Sequence, residues 1–418
     1  MRPLYQSAWL RALMALLLAA VVGACALAPG VAGPSAPGAR AIKALPPTAP
    51  PPPPVGAGYW HTNATQILDV NNQPVRIAGI NWFGFESSTY VVHGLGQRDY
   101  HALLDQVKSL GYNTIRLPFS DQLFLASSLP TGISFDSGMN QDLHGLTGLQ
   151  IIDKIVAYAG QLGVRIILDH HSVDADAQNP VWYASDCSVS CFESNWQLLA
   201  THYLGNPTVI GADLNNEPHH PACWGCGDPT LDWQMEAQKV GNAVLAINPH
   251  WLIFVEGVEC YQGDCYWWGG NLEGVADTPV RLNVPNQLVY SAHDYPPDVY
   301  DLYYFRAPTY PNNLPGIWDT HWGFIIKEHI APLWVGEFGT LLDDTADQQW
   351  LSTMTAYLGT GVTGINWTYW CLNPDGVDTG GILQNDWVTV NQNKQQELNA
   401  MEFPLPAVRP GPQVPSGP

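Results

Sequence analysis

Two glutamates stand at the ends of strongly apolar runs. One is Glu217 in Ile210-Gly211-Ala212-Asp213-Leu214-Asn215-Asn216-Glu217-Pro218, and the other is Glu337 in Leu333-Trp334-Val335-Gly336-Glu337-Phe338-Gly339. Cleaving an acetal such as a glycosidic bond needs a pair of this kind. One carboxyl must be protonated to help the alcohol depart, while the other must be ionised to attack the anomeric carbon or activate water. Environments that raise one pKa and depress the other divide the two tasks. Further polar residues close other apolar runs: Arg116, Asp169-His170-His171, Asn215-Asn216, His293-Asp294-Tyr295 and Trp370. Any one of them alone reads most simply as a satisfied polar residue at a strand end. Their recurrence at the same point of successive units argues for one shared site.

The elements that must position them are short β-branched runs alternating with amphipathic segments, the signature of βα units and a parallel sheet. Strand candidates are Val75 to Asn81, Thr114 to Pro118, Val164 to His170, Val209 to Asn215, Leu252 to Glu256, Leu288 to His293, Leu333 to Glu337 and Gly364 to Trp370. Between them, Leu103, Leu104, Val107 and Leu110 share a helical face, as do Ile151, Ile152, Ile155, Val156 and Ala159, and Val240, Val244 and Ile247. Eight strands with helices predict an α/β fold, a (β/α)8 TIM barrel, which gathers the strand ends into one mouth. A doubly wound open sheet is the rival, but no Gly-x-Gly-x-x-Gly loop follows the first strand.

Composition narrows the partner. The 418 residues are 46% hydrophobic and 13% charged, with 16 basic against 37 acidic residues and a net charge of −21. Few cations remain to build a phosphate-binding surface, so nucleic acid is excluded, and an acidic surface is not drawn to anionic lipid. The 17 tryptophans and 18 tyrosines must serve a core, a binding surface or both.

The chain ends differ in character from the block between them. Residues 1–28 read as a signal peptide: Arg2 and Arg11, then apolar Ala12 to Val22, then an Ala-x-Ala site at Ala26-Leu27-Ala28. Val22-Gly23-Ala24-Cys25 also resembles a lipobox, leaving lipid anchoring at Cys25 as the alternative to free secretion. The apolar run is too short to span a bilayer, so no integral membrane span is expected. A proline-rich linker follows at 29–55, with seven prolines between positions 46 and 54. One catalytic domain is expected over 56–403, and a second proline-rich segment over 404–418. Export favours local disulfides for the close pairs Cys187-Cys191, Cys223-Cys226 and Cys260-Cys265. Cys223-Trp-Gly-Cys226, preceded by His219 and His220, also has zinc-like spacing, but only as a single half-site. Cys371 is left over as a buried thiol.

Asn216-Glu217-Pro218 and Gly336-Glu337-Phe338-Gly339, with the strings Pro74 to Glu86 and Pro221 to Pro229, resemble glycoside hydrolase family 5, most nearly its actinobacterial endocellulases. The likeness runs from about Tyr59 to Asp386. It implies a secreted, monomeric, retaining endo-β-1,4-glucanase that acts on cellulose or a related β-1,4-linked polysaccharide and uses no metal or cofactor. By position, it makes Glu217 the acid/base and Glu337 the nucleophile. Arg116 and Tyr295 would support Glu337, Asn216 would bind the sugar 2-hydroxyl, and His171 and His293 would be the active-site histidines. Trp370 would floor a subsite, with Trp268 and Trp82 extending the cleft and Trp224 and Trp267 as further candidates. His170 has no family counterpart and would be a neighbour of the site.

Two departures stand out. Relatives carry a disulfide between the loops after strands one and three, where this chain has Ser88 and Ala175. Cys371-Leu372 stands where relatives often show a second aromatic residue. A mannanase or broad-specificity glucanase of the same family is the nearest alternative activity. A non-catalytic polysaccharide-binding lipoprotein is the distant one, and it has no need of the Glu217/Glu337 apparatus.

Overall fold

A computed structural model describes residues 54–407. The signal peptide, the lipobox and nearly all of the linker lie outside the described residues, as do positions 408–418. The eight barrel strands are β1 (Ala78–Asn81), β2 (Thr114–Ser120), β3 (Arg165–Ser172), β4 (Val209–Asp213), β5 (Leu252–Glu256), β6 (Leu288–Asp294), β7 (Leu333–Phe338) and β8 (Asn366–Tyr369). Each pairs in parallel with its neighbours, and β8 pairs with β1 to close the barrel. The first strand is shorter than expected. Pro74–Val75 instead pairs with Gln66–Leu68 in a small antiparallel sheet with His61–Asn63, where a proline at a strand start costs no ladder bond.

Helices α1 (Tyr100–Ser109), α2 (Gly148–Leu162), α3 (Val189–His202) and α4 (Trp233–Ile247) follow the first four strands. In α2, Ile151, Ile152, Ile155, Val156 and Ala159 all bury against the barrel. Thr147 and Gln150 form a capping box at its start, and Gly163 ends it at a φ of 72°, a conformation that favours glycine. The turn into β3 is therefore short. After β5 the described residues hold a short hairpin, Cys260–Tyr261 with Asp264–Cys265, and a 3-10 turn, Glu273–Val275, in place of a helix. The segment after β6 is built of α5 (Leu314–Trp318), a π-turn (Asp319–Gly323) and α6 (Phe324–Lys327). Helices α7 (Thr345–Leu358) and α8 (Gln392–Leu398) follow the last two strands.

Strand residues alternate between two cores, as a period of two requires. Ile166 and Leu168 face the helices, whereas Ile167 faces the barrel axis with Ile77, Ile210, Phe254, Val289 and Trp334. The antiparallel sheet closes the lower end of this inner core with Trp60, Ile67 and Val75. Leu405 also packs there, 4% exposed, and its carbonyl accepts from Lys108. The packed domain thus runs past the expected boundary at 403, because Leu405 covers apolar surface that would otherwise face water.

Two irregularities re-aim side chains at the upper end. Between β2 and β3 the register passes from Phe119–His170 to Ser120–Ser172, which leaves His171 out of the ladder. Between β6 and β7 it passes from Ala292–Val335 to His293–Glu337, skipping Gly336. Val335 faces the helices, so without this extra residue the acid would not turn inward where it does. A Cβ on Gly336 would lie 2.7 Å from Ser291 Oγ, so the bulge has room only for glycine.

Candidate active site

Glu337 ends its strand in a cage of donors. Arg116 Nη1 pairs with Oε1, and the Tyr295 hydroxyl donates to Oε2 at 2.6 Å. Burial alone would raise its pKa, but His293, Arg116, His171 and the Tyr295 hydroxyl outweigh burial and lower it from 4.5 to about 2. Glu337 is therefore a carboxylate. Burial and the nearby carboxylates push the Tyr295 pKa well up, so this phenol remains a donor.

Arg116 itself is fully buried and meets four carboxylates: Asp169 at 3.0 Å, Asp213 at 2.8 Å, Glu256 at 3.3 Å, and Glu337. Burial works against its charge, yet these neighbours hold its pKa well above the ordinary value. Burial pushes Asp213 up, helped by Glu256, and burial likewise raises Glu256. Arg116 Nη2 also donates to Asn216 Oδ1 at 2.9 Å, which fixes the amide and leaves its nitrogen without a partner among the described residues.

Glu217 lies beyond β4 with a φ of 47°, a strained conformation for a side chain of its size. Its backbone N–H donates to Glu256 Oε2 at 2.8 Å, which holds that geometry. The His293 ring bridges the two layers, with Nδ1 3.0 Å from Glu217 Oε1 and Nε2 3.2 Å from Glu256. Burial disfavours its charge, but Glu256 and Glu337 raise its pKa well above 6.5, so the ring is an imidazolium. An oxygen of Glu217, an oxygen of Glu337 and a His293 nitrogen all lie within 4.8 Å of one another. His171 Nδ1 sits 2.7 Å from Asp169; burial opposes its charge but Asp169 raises its pKa to about 9.

Residues 68–376 match the family described as cellulase, glycosyl hydrolase family 5. An endoglucanase of Paenibacillus polymyxa is 48% identical over 356 residues, covering 84% of this chain and 89% of that protein. The chain belongs to glycosyl hydrolase family 5. The major extracellular endoglucanase of Xanthomonas campestris is 39% identical, covering 82% of this chain and 71% of that one. Among solved structures, an endocellulase from Pyrococcus horikoshii in complex with cellotetraose superposes with a TM-score of 0.76. It is 39% identical and covers 82% of this chain and 97% of that one.

In this family 5 hydrolase the two glutamates open into a cleft of about 600 Å³. Tyr295 and His171 line it with Trp370, which lies parallel to His171 at 5.6 Å and to Phe83 at 5.5 Å. Trp267 and Trp268 also line it; Trp268 is 36% exposed and stacks on His219 at 3.9 Å. Trp82 does not reach the cleft. Asn81 points to the axis, where it accepts from Arg116, so the next residue points outward; Trp82 is buried and donates to the His93 carbonyl. Trp224 is likewise a core residue, donating to the Thr278 carbonyl. His170 also faces away, between Asp121 and Asn215.

Sequence reasoning passed over Asp213 and Glu256. The signal for Glu256 was present, an acid closing the apolar run from Leu252, but it lacked a flanking motif. Gln178, Glu259, Tyr300 and Asp378 also line the cleft from loops with no regular spacing. Cys223–Cys226 is a disulfide, which removes the zinc half-site, and Cys187–Cys191 and Cys260–Cys265 are bonded as expected. Cys371 is a buried free thiol. Ser88 and Ala175 leave the loops after β1 and β3 joined by hydrogen bonds instead, from Ser88 N–H to Asp176 Oδ1 and from Asp176 N–H to the Glu86 carbonyl. Among the described residues no helix is long and apolar enough to cross a membrane.

Proposed function

We propose that this family 5 hydrolase is an exported, monomeric endo-β-1,4-glucanase that cleaves with retention of configuration. The carrying observation is the close approach of Glu217 and Glu337 oxygens, within 4.8 Å, with Glu337 held as a carboxylate. Retaining enzymes place their carboxyls about 5–5.5 Å apart, whereas inverting enzymes need about 6.5–9.5 Å to admit a water. Glu337 attacks the anomeric carbon while Glu217 gives a proton to the departing oxygen. A covalent glycosyl ester forms and the glycosidic C–O bond breaks. Glu217 then takes a proton from water, whose oxygen attacks the same carbon and releases Glu337.

The remaining side chains fit this course. As negative charge leaves Glu337 for the ester, Tyr295 can turn its hydrogen bond toward the ring. The free amide nitrogen of Asn216 suits the sugar 2-hydroxyl, a contact that strengthens as the ring becomes oxocarbenium-like. The indoles of Trp370 and Trp268, both lining the cleft, suit the C–H faces of pyranoses. An uncharged polymer also suits a chain of net charge −21. Export rests on the apolar segment within residues 1–28 and on the relative named extracellular.

Cellohexaose hydrolysis followed by proton NMR tests the reading: the β-anomer should appear first, and initial α-anomer overturns it. Glu337→Ala should lose nearly all activity and regain turnover with azide, giving a glycosyl azide of inverted configuration. Faster release of reducing ends from glucomannan than from carboxymethylcellulose would instead favour a mannanase.

A further inference from the structure

Three clusters among the described residues bring three ligating side chains together. Two lie in the barrel mouth and already hold a cation: the Arg116 guanidinium among Asp169, Asp213 and Glu256, and the His293 ring beside Glu217 and Glu337. The third is Asp264, Glu273 and His321, behind the cleft wall. Asp264 lies in the hairpin formed by Cys260–Tyr261 and Asp264–Cys265, Glu273 opens the 3-10 turn, and His321 lies in the π-turn. No lysine or arginine among the described residues pairs with either acid.

His321 is 4% exposed. Its Nδ1 lies 2.8 Å from the Ile317 carbonyl oxygen, which can only accept, so Nδ1 carries the proton in that bond. A neutral ring then presents a lone pair at Nε2, the state in which histidine binds metals. Nε2 is buried without a hydrogen-bond partner. It faces Asp264 Oδ2 at 3.7 Å, beyond hydrogen-bond reach, and one ligating atom of each of the three residues lies within 4.8 Å of the others. Two ligands on one tetrahedral zinc, each about 2.1 Å from it, stand about 3.4 Å apart. Closing the cluster on such an ion needs only a small inward shift.

We propose that Asp264, Glu273 and His321 form a structural site for a divalent first-row transition cation, zinc foremost, with water completing its shell. An imidazole with two carboxylates suits that class, whereas calcium and magnesium favour oxygen throughout. The Asp264 side chain is 47% exposed, which gives the ion a way in. Its carboxylate belongs to the hairpin that leads into Tyr266, Trp267 and Trp268, and Tyr266 stacks on the His321 ring at 3.9 Å and 7°. A cation here ties that aromatic wall to the segment after β6, in place of the helix missing after β5. The carboxylate chemistry at Glu217 and Glu337 takes no part in it.

The test uses the full chain, stripped with EDTA and desalted, then titrated with zinc chloride by calorimetry and followed by thermal unfolding. Wild type should bind one more zinc than Asp264→Asn or His321→Gln and gain about 5 °C in Tm when zinc reaches about 100 times Kd. Calcium chloride should give no gain. Asp264→Asn changes a half-exposed hairpin position, so it reports even if His321→Gln fails to fold. Zinc stoichiometry and Tm gain unchanged in Asp264→Asn overturn the proposal, as does an equal gain with calcium.

Discussion

The upper and lower ends of one barrel are built on opposite principles. At the lower end the strands contribute Ile77, Ile167, Ile210, Phe254, Val289 and Trp334, closed over by Trp60 and Leu405. A few residues further along the same strands stand Asp169, Asp213, Glu256 and Glu337 around Arg116. Where the two meet, the Arg116 guanidinium stands 5.9 Å from the Trp334 ring centre. The floor is held by desolvation, which is non-directional and tolerates reshaping. The mouth is held by ion pairs and hydrogen bonds converging on Arg116 and His293, so removing either cation strands buried carboxylates. Stability is generic in one and specific in the other, and the proposed chemistry belongs to the specific end.

The largest expected effect separates the ends outright. Glu337→Gln should cost on the order of 10⁴-fold or more in kcat/KM on carboxymethylcellulose while the protein stays folded. A loss under about tenfold would break the assignment of chemistry to the mouth. Arg116→Met and Phe254→Ala then make a matched pair. Each should cost about 3–5 kcal/mol of stability in urea unfolding, one by unpairing buried carboxylates and the other by opening a cavity. Only Arg116→Met should also lower the kcat of the folded enzyme; equal kcat losses in the two variants would erase the distinction.

Smaller effects sharpen it. Trp268→Ala should raise KM for cellohexaose about tenfold with little change in kcat, because its exposed face can stack only on bound sugar. The last contrast is with pH. Glu337 has its pKa depressed from 4.5 to about 2, so it contributes stability that is present above about 4.5 and lost as pH falls toward 2. Wild-type Tm should therefore fall more steeply across that window than the Tm of Glu337→Gln. Parallel curves would mean that the cage around Glu337 does not stabilise its charge.

Much of this was legible in the chain. The alternation of strands and helices announced the barrel, and the apolar runs ending in Glu217, Glu337, Arg116, His171 and Tyr295 marked the mouth. What stayed hidden depended on which way a side chain points. Trp82 and Trp268 look alike as tryptophans in loops after strands, yet one is core and the other is cleft. His170 and His171 are neighbours on opposite faces of one strand. Glu256 carries the same local signal as Glu337 but ends as a partner of Arg116, His293 and the Glu217 backbone.

By itself the sequence determined the eight barrel strands, the helical faces between the early ones and the identities of the acids that end the apolar runs, because these depend on local periodicity. Tertiary structure decided the rest. Barrel closure brought Arg116 onto four carboxylates from four other strands, and the register shift at Gly336 turned Glu337 into that charge. Charge and burial meet in the barrel only when distant strands do, so the ionisation state of Glu337 is a property of the closed fold.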